Sequence, residues 1–195
     1  MRPLALDGGV PEAVFIALSS GWLLGEGWFA LSTTMRDPAA RDPSEPLLTL
    51  ALVGGLVGGV VAALAAESLA LPGGRWSLAV LGLCVFGAGI ALRVWAVRTL
   101  GRFFRYTIVV DADHRVVEDG PYRRLRHPSY TGLLVAALGI GIALANWLAL
   151  AACLLPALVG FSARLLHEER VLAAELGEPY RAYMRRTRRL IPGLW

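Results

Sequence analysis

Residues 130–166 read YTGLLVAALGIGIALANWLALAACLLPALVGFSARLL, which is two apolar runs joined by a single asparagine. The runs cover 130–145 and 147–166. The hydrocarbon core of a bilayer is about 30 Å thick and takes about 20 apolar residues in a helix. Because only Asn146 separates the runs, the pattern predicts a tight antiparallel hairpin of two membrane helices whose outer ends lie on the same side.

Three further apolar runs precede this hairpin. They cover residues 10–31, 47–71 and 76–97, with Glu26 and Glu67 as the main polar interruptions. The first run lacks the basic start of a signal peptide and is longer than its apolar core, so we expect it to be kept as a helix. The sequence therefore predicts an all-α, multi-pass integral membrane protein with about five transmembrane helices.

The composition agrees with lipid as the solvent. The 195-residue chain is 56% apolar and 17% charged, whereas soluble domains average about 45–50% and about 25%. Despite its net charge of +4, so apolar a chain is excluded as a nucleic-acid-binding module and as a disordered protein. The two cysteines, Cys84 and Cys153, lie inside apolar runs, which argues against a disulfide framework or a zinc site.

The arginines predict the orientation of the helices in the membrane. All 19 basic residues are arginines, and 13 of them lie in the connection 98–127 or in the tail after Leu165. Positive charge collects on the cytoplasmic side, so five spans place the N-terminus outside and the C-terminus in the cytoplasm. The arginine-only, alanine- and glycine-rich composition resembles that of a high-GC bacterial genome, and we expect the bacterial inner membrane.

The second apolar run contains a doubled pattern of small residues. Gly54, Gly55, Gly58 and Gly59 are spaced so that another helix backbone can approach closely. We favour packing inside one bundle, with a homodimer as the alternative.

Two polar segments carry signs of local structure. The connection has β-like patches at 106–110 and 114–117 around a turn at 111–113, which predicts a short ordered loop. In the tail, apolar and aromatic residues from Val171 to Met184 recur at mostly three- or four-residue spacing. This spacing predicts a helix along the membrane interface, broken near Gly177 and Pro179.

Four polar motifs gather at the predicted cytoplasmic edge: G-P-Y at 120–122, R-H-P-S-Y at 126–130, R-x-x-x-E-E at 164–169 and G-E-P-Y at 177–180. Each also has a purely structural interpretation as a turn, an interfacial anchor, a salt bridge or a lipid-facing helix end. Arg164 and Glu168 are four residues apart, so they share a helix face where they can pair or hold a zwitterionic ligand. His167 lacks the H-E-x-x-H spacing of a metal site, and we predict no metal.

The order of the motifs is more specific than any one of them. The series H-x-V-V, P-Y, R-H-P-S-Y-x-G, an apolar hairpin, R-x-x-x-E-E-x-x-L, G-x-x-Y-x-x-Y and I-P runs through about residues 114–192. It resembles the isoprenylcysteine carboxyl methyltransferase family and its wider group of membrane methyltransferases, which includes phospholipid N-methyltransferases.

The resemblance implies one membrane methyltransferase domain over 1–195. Residues 1–97 would form three transmembrane helices, and 98–195 the catalytic region with the hairpin and a C-terminal interfacial helix. S-adenosyl-L-methionine would bind from the cytoplasm in a pocket formed by the 98–128 loop and the C-terminal helix. A lipophilic or prenylated substrate would enter from the bilayer, with membrane lipids as the other partners.

The resemblance also implies roles for single residues. Arg164 would contact the substrate, Arg126 and Glu169 match motif positions and join it in the catalytic set, and Thr107 would lie at the pocket edge. The implied cofactor-binding residues are His114, Arg115, Val116, Val117, Tyr122, His127, Pro128, Ser129, Tyr130 and Glu168.

The methyl acceptor is left open among three chemical classes. We first expect O-methylation of a lipophilic carboxylate such as a prenylcysteine-like compound, because a carboxylate is already ionised and Arg164 can hold it by two hydrogen bonds. The alternatives are a phenolic or pyrone hydroxyl, which would need His127 or Glu169 as a base, and a phospholipid amine. A non-enzymatic scaffold or transporter subunit is a different class. Transport would require polar residues along the middle of several spans, whereas here they gather at one edge.

Overall fold

A computed structural model describes residues 3–36, 45–104 and 116–191. Regular structure in these ranges is helical, and the five longest helices lie on the five predicted apolar runs. The α-helices are α1 (Val10–Arg36), α2 (Glu45–Ala65), α3 (Arg75–Leu100), α4 (Pro128–Ala143), α5 (Trp147–Glu175) and α6 (Glu178–Arg186). The predicted β-like patch at 106–110, and residues 114–115 of the second one, lie outside the described ranges.

Three of the described helices are long and apolar enough to cross a membrane, judged by length and composition. They correspond to Leu47–Ala65, Arg75–Phe103 and Trp147–Glu175, and they support an integral membrane protein. The apolar helix α4 has 16 residues, about 24 Å at 1.5 Å per residue. That α1 and α4 also cross the bilayer stays a prediction.

The hairpin between α4 and α5 is confirmed, and Asn146 caps it. The Asn146 side-chain oxygen accepts hydrogen bonds from the backbone N–H groups of Leu148 and Ala149 at 2.9 and 3.1 Å. Its amide nitrogen donates to the Ala66 carbonyl at the end of α2, 2.7 Å away. One side chain therefore caps α5 and ties the hairpin to α2.

Glycines bring α3 and α4 into backbone contact. Gly82 and Gly89 on α3 face Gly132 and Gly139 on α4. A Cβ added at Gly89 would lie 2.6 Å from the Gly132 carbonyl oxygen, and one added at Gly139 would lie 2.6 Å from that of Gly82. These four residues therefore permit a closer helix approach than any side chain would allow.

The glycines of α2 pack within the bundle, which is the favoured interpretation. A Cβ at Gly55 would lie 3.1 Å from the Ala152 carbonyl oxygen, and one at Gly59 would lie 2.7 Å from Cys153 Sγ. Gly54 is nearest a leucine of its own helix. An added Cβ at Gly58 would lie 3.9 Å from the Ala152 Cβ, so three of the four glycines face α5.

In the tail, the structure has the predicted break near Gly177 and Pro179 but no separate interfacial helix before it. Gly177 adopts a positive φ of 63° and Pro179 lies in the first turn of α6, so the predicted interruption is confirmed. Residues 171–175 continue α5 instead of starting a separate interfacial helix, because no helix breaker lies between the membrane run and Gly177. Tyr180 and Tyr183 on α6 are buried and face the protein.

Candidate functional site

A cavity lies at the end of the bundle where α3 ends and α4 begins. Its lining residues come from all six helices and from the segment around 116–127. They are of two kinds. The apolar ones include Leu23, Leu48, Leu52, Val53, Leu133 and Phe161, and the polar ones include Tyr122, Arg126, His127, Ser129, Tyr130, Arg164 and Glu168.

The Tyr130 hydroxyl lies between an arginine and a carboxylate. It donates to Glu168 Oε2 at 2.9 Å and accepts from Arg164 Nε at 3.0 Å. Arg164 is buried, and Glu168 is partly exposed toward the cavity. The phenol of α4 is therefore joined to both residues of α5, and the role of Arg164 and Glu168 in holding a ligand stays a prediction.

His127 lies beside this group in a stack of aromatic rings. Its ring centroid is 5.6 Å from that of Tyr130, which in turn is 5.2 Å from that of Phe161. His127 Nε2 donates to Glu169 Oε1 at 3.4 Å, while Nδ1 is 4.0 Å from Glu168 Oε2. Pro128 starts α4 directly after it. His127 is therefore the residue that precedes the first turn of α4 and lines the cavity.

Glu169 is the centre of a buried polar cluster. It accepts from Arg126 Nε at 2.6 Å and from Arg189 Nε at 3.0 Å. Arg126 Nη1 also donates to the carbonyls of Met184 and Thr187, at 2.7 and 2.9 Å. Arg126 is one of the described residues that line the cavity, whereas Glu169 lies behind them. These contacts fit a role in holding the site together.

The segment after α6 runs parallel to the residues before α4. The Arg126 N–H donates to the Arg188 carbonyl at 2.7 Å, and the His127 N–H donates to that of Arg189 at 3.1 Å. In return, the Arg188 N–H donates to the Arg124 carbonyl at 3.0 Å. We call residues 187–190 the C-terminal strap. It fixes the backbone on which Arg126 and His127 lie.

Tyr180 and Tyr183 of α6, together with Tyr122 of the turn at Gly120–Arg123, form another wall of the cavity. The Tyr183 hydroxyl donates to the Tyr122 carbonyl at 2.8 Å, while the rings of Tyr122 and Tyr180 line the cavity. Burial, and then the nearby Glu168 carboxylate, raise the pKa of both Tyr122 and Tyr180 far above 10. The cavity therefore presents uncharged aromatic surfaces.

Sequence reasoning missed one polar group of the cavity wall. In the sequence, Glu26 is a polar interruption of the first span, and no pattern predicts a role for Arg93. The structure brings them together with Ser129 at the cavity. Their separation of 67 residues leaves no local pattern to find, and only the placement of both charges inside apolar runs was a signal.

The structure places most of the implied cofactor residues in one region. Val116, Val117, Tyr122, His127, Ser129, Tyr130 and Glu168 line the cavity, and Pro128 is buried in the first turn of α4. Thr107, His114 and Arg115 lie outside the described residues.

Comparison with known proteins points to one family. Residues 80–174 match the model of the isoprenylcysteine carboxyl methyltransferase (ICMT) family. A probable protein-S-isoprenylcysteine O-methyltransferase of Oryza sativa subsp. indica is 33% identical over 60% of this chain and 62% of its own length. Protein-S-isoprenylcysteine O-methyltransferase B of Arabidopsis thaliana is 31% identical over 65% of this chain and 66% of its own length. The chain thus spans just over three fifths of these relatives.

The fold is also similar to that of a solved membrane enzyme. The structure of a eukaryotic intramembrane Ras methyltransferase, an isoprenylcysteine carboxyl methyltransferase, superposes with a TM-score of 0.66 at 25% identity. The match covers 96% of this chain and 69% of the other. It extends the likeness beyond the segment 80–174 to nearly the whole bundle.

Proposed function

We propose that the chain belongs to the isoprenylcysteine carboxyl methyltransferase family, whose model matches residues 80–174, and that it is an S-adenosyl-L-methionine-dependent membrane methyltransferase. Its acceptor is the carboxylate of a lipophilic, isoprenylcysteine-like molecule. The observation that carries the proposal is the group formed by Arg164, Tyr130 and Glu168 in a cavity whose other walls are largely apolar. Such a cavity suits an acceptor with a charged head and a hydrocarbon chain.

The donor set at the cavity fits the cofactor. S-adenosyl-L-methionine, when bound, supplies a methyl group activated on a sulfonium sulfur. The Glu168 carboxylate would pair with its ammonium group or accept from its ribose hydroxyls. The neutral rings of Tyr122 and Tyr130 offer faces for the adenine or the cationic sulfur. Both kinds of group lie on the same cavity.

Arg164 would hold the acceptor. Its planar guanidinium can bind a carboxylate by two parallel hydrogen bonds. A carboxylate with an ordinary pKa near 4 is ionised at neutral pH, so the chain needs no general base for this acceptor. The apolar residues of α1, α2 and α4 would surround the hydrocarbon and exclude water from the reacting groups. The acceptor enters from the bilayer, and the cofactor from the cytoplasm of a bacterial cell.

Arg126 and Glu169 have a positioning role in this proposal. Arg126 and Glu169 form an ion pair behind His127. Glu169 also accepts from Arg189, and Arg126 also donates to two backbone carbonyls. The pair therefore holds the loop and the strap in place, while Arg164 contacts the acceptor.

Titration calorimetry of the detergent-purified protein with S-adenosylmethionine and S-adenosylhomocysteine tests the cofactor part. We expect saturable binding that Glu168→Ala abolishes, because the substitution removes the carboxylate at the cavity. Glu175→Ala is the matched control, since Glu175 is an exposed glutamate on the same helix. Unchanged affinity in Glu168→Ala would remove Glu168 from the site, and no binding by folded wild type would refute the cofactor assignment.

Transfer of a labelled methyl group then tests the acceptor. The three probes are an S-prenylated N-acetylcysteine, a long-chain phenol and phosphatidylethanolamine, each in mixed micelles. We expect base-labile methyl ester from the first probe only. Transfer to either of the others in its place would assign a hydroxyl or amine acceptor.

A further inference from the structure

A buried ion pair joins α1 to α3 at the cavity wall. Arg93 Nε donates to Glu26 Oε1 at 2.7 Å and Arg93 Nη2 donates to Glu26 Oε2 at 2.6 Å. The pair is bidentate, both side chains are largely buried, and both line the cavity. Charged residues inside apolar helices are costly to desolvate, and the default explanation for them is a function.

Arg93 also reaches the first turn of α4. Its Nη1 donates to the Ser129 hydroxyl, and its guanidinium carbon lies 5.3 Å from the centroid of the Phe104 ring. Ser129 is buried and directly precedes Tyr130. One side chain therefore connects the carboxylate of α1 with the start of α4.

Among the bonds that hold this first turn, two side-chain links come from different helices. Ser129 is bonded to Arg93 on α3, whereas Tyr130 is bonded to Arg164 and Glu168 on α5. Successive residues of an α-helix point about 100° apart, so the two links together oppose rotation of the turn about the helix axis. Without the Ser129 link, this side-chain bond from α3 to the turn is lost, while the Tyr130 hydroxyl keeps its two bonds to α5.

We propose that the Glu26–Arg93 pair is a positioning device for methyl transfer, in which Glu26 orients Arg93 and Arg93, through Ser129, holds Tyr130 against Arg164 and Glu168. The inference rests on the proposed function. According to this inference, α1, which lies outside the matched segment 80–174, helps to position the residues that act in methyl transfer.

The test separates folding from rate. Glu26→Gln leaves a buried guanidinium without its full counter-charge, so we expect a lower apparent melting temperature. The double variant Glu26→Gln with Arg93→Met removes both charges, and we expect its melting temperature to recover. Its kcat should stay about tenfold below wild type, because small misplacements of reacting groups lower rates steeply. Glu12→Gln, on the same helix, is the control and should match wild type.

Ser129→Ala breaks the same link and leaves the ion pair intact. We expect a similar fall in kcat with a near-normal melting temperature. Combining all three substitutions should lower kcat no further than either route alone, since both remove one link. If the double variant regains wild-type kcat, or if the effects multiply in the triple variant, the pair is purely structural and the proposal is overturned.

The same measurements distinguish failure of this inference from failure of the proposed function. Absence of cofactor binding and transfer by folded wild type would overturn both. Wild-type transfer that is unaltered in the double variant and in Ser129→Ala would overturn the positioning role alone.

Discussion

At the residue scale, the site depends on a neutral hydroxyl placed between opposite charges. The Tyr130 phenol bonds to Arg164 and Glu168, and its ring stacks between His127 and Phe161. The hydrogen bonds and the ring stacking can be removed separately, because the first depend on one oxygen atom and the second on the ring.

Tyr130→Phe removes that oxygen and keeps the stack. We expect kcat/KM for methyl transfer to fall about tenfold to hundredfold, since hydrogen bonds to charged groups contribute about 1.5–3 kcal/mol. The apparent melting temperature should fall less than in Tyr130→Leu, because the buried Arg164 loses an acceptor while the ring stack stays. Tyr130→Leu, which also removes the ring, should lower both quantities. Equal activity of Tyr130→Phe and wild type would show that the hydroxyl takes no part.

Arg164→Ala tests the acceptor contact. We expect a KM for the prenylated acceptor raised by about tenfold or more, from the loss of a charge-assisted pair, with cofactor affinity from calorimetry largely kept. Arg164→Lys keeps the positive charge but loses the planar guanidinium, so its KM for the acceptor should lie between those of wild type and Arg164→Ala. Arg170→Ala is the control, since Arg170 is exposed on the same helix and bonds to the backbone one turn away. Loss of cofactor affinity with a normal acceptor KM would contradict the assignment.

At the element scale, α3 and α4 touch through glycine backbones, and this contact sets where α4 presents its first turn. Ser129, Tyr130 and Gly132 lie within the first five residues of α4. A wider separation of the two helices would therefore move the site residues as well as the core.

Gly89→Ala adds a methyl group where there is no room. Its Cβ would lie 2.6 Å from the Gly132 carbonyl oxygen and would also meet the backbone of Ala136. We expect a destabilisation of about 1–3 kcal/mol, as for other overpacked sites, seen as a lower apparent melting temperature in detergent.

Gly87→Ala is the matched control for this contact. It lies two residues away on the same helix and has nothing within 4 Å of an added Cβ. We expect it to melt like wild type. Equal melting temperatures for the two variants would mean that the helices can separate at little cost.

At the scale of the whole molecule, the C-terminal strap returns to the site and bonds to α4, to α5 and to the residues before α4. The strap pairs with the backbone before α4 and its Arg189 bonds to Glu169 on α5. Thr131 of α4 donates to the Leu190 carbonyl at 2.8 Å. Cofactor affinity should therefore depend on residues far from the cofactor contacts in sequence.

Arg189→Ala removes one cation from the Glu169 cluster. Loss of a charge-assisted bond to a buried carboxylate costs about 1–3 kcal/mol, and the partial exposure of Arg189 places the effect near the lower end. We expect a lower apparent melting temperature and weaker cofactor binding. Arg188→Ala removes the same charge from an exposed neighbour and should leave both values unchanged. Equal effects of the two substitutions would indicate a general charge effect instead of the specific bond.

The positions of the apolar helices, the hairpin at Asn146 and the order of the site motifs can be predicted from the sequence. Each of these is a property of neighbouring residues. An apolar run of sufficient length must satisfy its backbone as a helix in lipid, and an asparagine between two such runs caps the second. The motif order also sufficed to predict the resemblance to the family and a common site for His127, Tyr130, Arg164 and Glu168. These four residues line one cavity.

Which polar residues bond to each other depends instead on how the helices pack. Glu26 and Arg93 are 67 residues apart, and Arg126 and Glu169 are 43 apart. No hydrophobic period or spacing rule selects such partners, because the choice depends on how closely the helices approach. Glycines at the α3–α4 contact set that approach, and the strap fixes the backbone before α4. The physical reason is that helix formation in lipid is local, whereas a buried charge finds its partner only after the helices have packed.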